Sequence, residues 1–214
     1  MTGSTTEAQK LSGALPASVD APPFDYNPSS MHQRARVAAI ALVAVGVSLY
    51  MGLYQWGVID KVWDPLFGNG TATVLTSDVS RRMHRFLGVP DAVLGAWAYL
   101  TEAVLSMAGS LRRWQFRPWL VVLFGIDVIP LGLVSAVLVV LQGLVVGAWC
   151  TPCLITATIS LLLIFLAYDE VWASLRYLWA IWTRERDKRL LWDVFWGRPT
   201  ERGYAIARDQ AQGR

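Results

Sequence analysis

Cysteine and histidine are nearly absent, with two of each in 214 residues. A structural zinc site needs four such ligands in one place, and beyond the cysteine pair only His32 and His84 exist to complete one, so a metal-built domain is not expected. Charge is also scarce: Asp, Glu, Lys and Arg make up 16% of the chain and the formal net charge is +3. The basic residues are scattered between apolar segments, whereas nucleic-acid binding gathers them on one face. No nucleic-acid partner is expected. The chain has no internal repeat and hardly any charge inside its apolar runs, which leaves a transporter or channel without an evident pathway. The first apolar run starts only at Val37. A cleavable secretory signal carries its basic residues and apolar core at the extreme N-terminus, so none is expected here.

What is abundant is apolar surface. Hydrophobic residues account for 54% of the chain, above the roughly 45–50% of soluble domains. Eleven tryptophans fall mostly at the ends of apolar runs, where amphipathic rings prefer the headgroup layer. Four segments, roughly 36–56, 89–109, 119–142 and 149–168, meet the length of ~20 apolar residues that crosses a bilayer. A longer polar loop, Gly57 to Gly88, separates the first two; it carries the turn material DPLFGNG and a short amphipathic helix in SDVSRRMHRFL, capped by Thr76 or Ser77. The other connections are short, which makes neighbours antiparallel. The expected fold is an all-α integral membrane protein: a four-transmembrane-helix bundle with an outer-face loop and half-helix, and a C-terminal amphipathic helix. Residues 1–34, rich in Ser, Pro, Ala and Gly, read as a disordered tail, 35–170 as the membrane domain and 171–214 as an amphipathic, basic region. After Tyr168, Leu175, Leu178, Trp179 and Trp182 share one helical face ahead of a basic cluster, which suits a helix lying on the membrane. A continuation of the fourth span is the other reading.

Lys and Arg set the orientation. With a cytoplasmic N-terminus the inner side collects fifteen of them and the outer side keeps only Lys61, Arg81, Arg82 and Arg85. That arrangement puts both termini in the cytoplasm. It also puts the long loop and AWCTPC on the outer, periplasmic face of a bacterial inner membrane, where disulfides persist.

Cys150 and Cys153 stand two residues apart at the start of an apolar helix. Unpaired N–H groups and the helix dipole stabilise a thiolate at such a place, and Pro152 fits a first turn. A redox-active pair, two inert buried thiols and a metal site completed from outside all remain open on the residues alone.

Three stretches, VLTSDVSRRM, LGVPDAVLGAWAY and AWCTPCLITATISLLL, together resemble the vitamin K epoxide reductase (VKOR) family across roughly residues 36–175. The resemblance implies a four-helix bundle in which a Cys-x-x-Cys at the outer end of the fourth helix passes electrons from thiols to a membrane quinone, ubiquinone or menaquinone, with no metal. By that likeness Cys153 is the cysteine nearer the quinone and Cys150 the more exposed one that forms mixed disulfides. Ser77 is the hydroxyl that hydrogen-bonds a quinone oxygen, stabilising charge as it develops; an ordinary helix N-cap is its other reading, and both can hold. Val89, Pro90, Ala92, Leu154 and Ala157 are the candidate lining of the quinone pocket, or plain packing. The likeness fails at two positions. The family usually carries two loop cysteines that shuttle electrons to the active pair, and here those places fall near Trp63 and at Thr71.

Asp127 sits near the middle of the third apolar run and Glu102 at comparable depth in the second. An ionisable group at that depth costs a few kcal/mol and is a functional suspect. Asp127 is therefore a candidate at the quinone site, delivering protons, or else a protonated carboxyl hydrogen-bonded between helices. Two functions follow. One is a quinone-dependent thiol oxidoreductase that serves a periplasmic thioredoxin-like protein. The other is a non-catalytic accessory or assembly subunit of a larger membrane complex, in contact with lipid and partners.

Overall fold

The computed structural model describes residues 26–198 and 200–212; the tail expected up to residue 25 lies outside the described residues. Within them every regular element is helical. In chain order these are α1 (Met31–Gln55), α2 (Gly70–Leu75), α3 (Asp78–Leu87), α4 (Asp91–Met107), α5 (Arg113–Phe116), α6 (Pro118–Leu141), a π-turn at Gln142–Val146, α7 (Thr151–Glu185), α8 (Lys188–Phe195) and α9 (Glu201–Gln212).

Three helical segments are long and apolar enough to cross a membrane: Met31–Gln55, Pro118–Val146 and Thr151–Glu185. Only 17% of the apolar window in Pro118–Val146 is buried, so most of that surface needs an apolar solvent. The expected second span differs. It forms α4, whose 17 residues reach about 25 Å, against a hydrocarbon core of about 30 Å. Local chemistry shortens it. Pro90 keeps Val89 out of helical geometry. At the other end Arg34 of α1, fully buried, donates from Nε to the Ser106 carbonyl at 2.7 Å and from its terminal nitrogen to the Met107 carbonyl, a cation closing a helix C-terminus.

The fourth expected span does not stop at Tyr168. No Gly or Pro occurs between Cys153 and Trp196, and α7 runs unbroken to Glu185, as the continuation reading had it. It ends where Arg186 turns left-handed at φ 50°. Asp187 then caps α8 by accepting from the N–H groups of Arg189 and Leu190.

The chain divides into two compact units. One comprises His32–Met107 and Phe124–Tyr168. Within it α1 and α4 meet at Gly52, where an added Cβ would lie 2.6 Å from Val93 Cγ2, so only glycine permits the approach. α4 meets α7 through Tyr99, whose hydroxyl donates to the Thr156 carbonyl at 3.1 Å and pairs with Ser160 Oγ at 2.6 Å. Ser135 of α6 joins Ser160 at 3.2 Å.

Of the described residues, the other unit comprises 26–31, 108–123, 169–198 and 200–212. Its core holds a two-pronged ion pair, Arg113 Nε and Nη2 each 2.7 Å from an oxygen of Glu170, with side chains 0% and 5% exposed. Ser29 donates its hydroxyl to the same carboxylate at 2.6 Å, and Trp114 packs edge-on to Tyr177. Tyr26 donates to Asp169 at 2.8 Å. The tail was expected to be loose as far as residue 34, but from Tyr26 onward it is ordered, with Tyr26 and Ser29 donating to the carboxylates of Asp169 and Glu170 on α7.

Candidate redox site

Cys150 and Cys153 form a disulfide across the first turn of α7, with Cα atoms 5.2 Å apart. The π-turn and left-handed Gly147 bring the chain back so that Gln142 Oε1 accepts the Cys150 N–H at 3.2 Å. The Cys153 N–H in turn donates to Cys150 Sγ at 3.2 Å, a helix N-terminal donor aimed at sulfur.

Asp64 ties the long loop to this helix start. Its carboxylate accepts from the N–H groups of Leu66 and Phe67 at 3.2 and 2.9 Å, and from the N–H and hydroxyl of Thr71 at 3.0 and 2.6 Å. The N–H of Thr151 donates to it at 3.4 Å, and the Thr151 hydroxyl also donates. Desolvation opposes ionisation, but the hydroxyls of Thr151 and Thr71 and the backbone N–H groups of Phe67 and Thr151 outweigh it. The Asp64 carboxyl is therefore held well below the usual carboxylate range. Gly70 completes the closure. A Cβ there would lie 2.0 Å from the Trp149 carbonyl oxygen.

Under this cover Cys150 is 0% exposed and packs with Met51, Val74, Leu75 and Ala92. Cys153 is partly exposed and lines a cavity of about 400 Å³, walled mostly by apolar residues of α1, α2, α4, α6 and α7. Its Sγ is 3.5 Å from Met51 Sδ. One side of the cavity carries a polar cluster in which Gln55 Nε2 donates to Ser80 Oγ at 2.9 Å and to Asp91 Oδ1, while Ser80 donates to Asp91 at 3.1 Å.

A disulfide at a helix start, held against an apolar cavity by a long loop, is the arrangement whose sequence signature spans this unit. The profile of the Vitamin K epoxide reductase family matches residues 35–168. The chain belongs to this family. VKOR proteins are membrane-embedded, quinone-linked in general and of thiol oxidoreductase type. A search of curated proteins found no match to the chain.

Several of the residues singled out in the sequence, from the VKOR pattern and, for Asp127, from its depth in an apolar run, come together. Ser77, Ala92, Asp127, Cys153 and Ala157 all line the cavity. Ser77 also caps α3, its Oγ accepting the Ser80 N–H at 3.3 Å, so the cap reading holds at a cavity-lining position. Three expected pocket residues lie elsewhere. Val89 is 38% exposed and Pro90 fully buried, both ahead of the α4 turn where the lining begins at Asp91. Leu154 is rotated off the α7 face that presents Cys153, Thr156 and Ala157, as the 3.6-residue period requires. Cys150 departs from its expected role as the more exposed sulfur, because the loop buries it. At the positions of the missing loop thiols, Thr71 is 0% exposed and bound to Asp64, and Trp63 is 71% exposed with its N–H donating to Tyr50 at 2.7 Å.

Asp64, Gln55, Ser80 and Gln142 were not found by reading the sequence. DPLFGNG did signal a turn, and an Asp accepting from N–H groups two and three residues on is the ordinary chemistry of one. Its reach to Thr151, 87 residues away, has no local signal.

Proposed function

We propose that the protein is a quinone-dependent thiol oxidoreductase of the bacterial inner membrane that oxidises thiols of a periplasmic thioredoxin-like protein through Cys150 and Cys153. One observation carries this reading: a disulfide sulfur, that of Cys153, faces an apolar cavity of about 400 Å³, a size typical of small-molecule sites. Cavity and sulfur fit a lipid-soluble ring, ubiquinone or menaquinone, held by Ala92, Ala157 and Leu138 with Ser77 as a hydrogen-bond donor. Bound there, a quinone supplies an acceptor of two electrons and two protons.

The chain's own residues do the rest. A partner thiolate attacks Cys150 Sγ and the Cys150–Cys153 bond breaks, leaving Cys153 as a thiolate that the N-terminus of α7 stabilises. The partner's second thiol then attacks the mixed disulfide. The partner leaves oxidised, and Cys150 and Cys153 are reduced. Re-forming their disulfide returns two electrons on the cavity side. Because Cys150 is sealed in the closed form, attack requires the Asp64–Thr71 segment to lift first. The charge distribution supports an outer location for this loop, with both termini cytoplasmic. In that arrangement α4 acts as a short second span of a four-helix bundle.

Substituting Cys153→Ala in purified protein should reduce thiol-driven quinone reduction to the uncatalysed rate. Parental activity in C153A would overturn the mechanism. The burial of Cys150 and the hydroxyl at Thr71 favour a second reading, an accessory subunit of a larger membrane complex. Fixed co-purification with such a complex, without quinone-linked turnover, would select it.

A further inference from the structure

The dithiol chemistry leaves two carboxyls unused. Glu102 of α4 is 1% exposed, and neither of its carboxyl oxygens has a hydrogen-bond partner among the described residues. Asp127 of α6 lines the cavity, and its Oδ2 is likewise without a partner. Glu102 follows Tyr99 by one turn of α4, and Tyr99 and Asp127 line the same cavity. Pro130, on the same cavity wall, has no N–H to give the Ile126 carbonyl beside Asp127, which leaves an acceptor at that wall.

The groups around the pair do not neutralise it. On α4 itself Tyr99, one turn before Glu102, is engaged with Thr156 and Ser160. From α1, Arg34 donates to the Ser106 and Met107 carbonyls. α7 presents the hydroxyls of Thr156 and Ser160, and α6 contributes Asp127. Two buried carboxyls in apolar surroundings, with no cation paired to either among the described residues, do not both stay ionised.

We propose that Glu102 and Asp127 are a proton-holding pair serving the cavity, a reading that rests on the quinone function above. Asp127, at the wall, gives its proton to an acceptor oxygen reduced there, and Glu102, behind it, restores the proton to Asp127. Oxidation of the two thiols to the disulfide releases two electrons and two protons. The electrons go to the acceptor and the thiol protons leave to solvent. Two protons pass through Asp127, an O–H bond breaking on the carboxyl as one forms on the acceptor, and solvent refills the pair. Asp127 acts directly and Glu102 acts through it.

The test uses the full-length protein in lipid nanodiscs with a short-chain ubiquinone. In the infrared, the parent should show the carbonyl stretch of a protonated carboxyl, shifted in D2O and weakened or displaced by E102Q. D127N should slow quinol formation by about 10²-fold, with ubiquinone binding, read by tryptophan quenching, and disulfide reduction by dithiothreitol, read by alkylation, both unchanged. E102Q should displace the pH profile of quinol formation, and E102D should restore it. Absence of the carbonyl band in the parent, or a parental rate in D127N, overturns the proposal. If the parent reduces no quinone, the functional reading fails, while the band still decides whether the pair holds a proton.

Discussion

Six donors converge on the carboxylate of Asp64, whereas neither carboxyl oxygen of Glu102 meets one among the described residues. Both residues belong to the same compact unit, and their surroundings assign them opposite chemistry. A carboxylate ringed by N–H and O–H groups is a fixed charge that holds backbone segments together. A carboxyl buried without donors gains nothing structural from ionising, so what it offers is a proton. In this chain the satisfied acid ties the loop over Cys150, and the unsatisfied one is buried on α4, a helix that lines the cavity that Cys153 faces.

The largest change should come from the satisfied acid. Asp64→Asn puts an amide N–H against donors, and loss of charge-assisted hydrogen bonds should lower unfolding stability by about 2 kcal/mol, measured by denaturation in detergent. Cys150, once reduced, should then react faster with an alkylating reagent. Unchanged alkylation would mean that Asp64 does not hold the cover. The same carboxyl predicts an acid limb. Folding lowers its pKa, so the unfolded chain binds the proton first as pH falls. The contribution is whole above about pH 4 and is lost below it. A stability profile of D64N should be flatter in that range.

Ser77→Ala removes the α3 cap and should cost about 1 kcal/mol. A loss of quinone affinity beyond that would reveal its second role. The smallest expected effect, and the opposite sign, belongs to Glu102→Gln: relieving an unpartnered buried acid should leave stability unchanged or raise it by about 1 kcal/mol. A clear loss of stability would show that Glu102 has a structural partner after all, and the contrast with Asp64 would collapse.

The sequence carried the parts of this contrast unequally. Helices α1, α6 and α7 were legible because long apolar runs leave few alternatives, and the cap at Ser77 because Ser before an amphipathic segment has local chemistry. The thiol pair announced itself by spacing and position. α4 was overestimated, since what ends it is a buried arginine from a different helix. Val89 and Pro90 were taken as lining because they open the second apolar run, but α4 begins only at Asp91, and it is its face that meets the cavity. The exposure of Cys150 was misread for a similar reason: the segment that hides it is fastened by Asp64 to Thr151, a bond between distant positions. Burial at Glu102 could be guessed from depth. That it lacks partners could not, because that depends on which side chains of α1, α6 and α7 turn toward it.

The close passage of Gly70 over the Trp149 carbonyl means that even a methyl group would prise the lid from the sulfur beneath. Small free thiols such as glutathione, which have no docking surface with which to move that lid, find no straight line to Cys150. Small thiols should therefore reduce the bridge slowly, and a macromolecule able to grip the loop should reduce it fast.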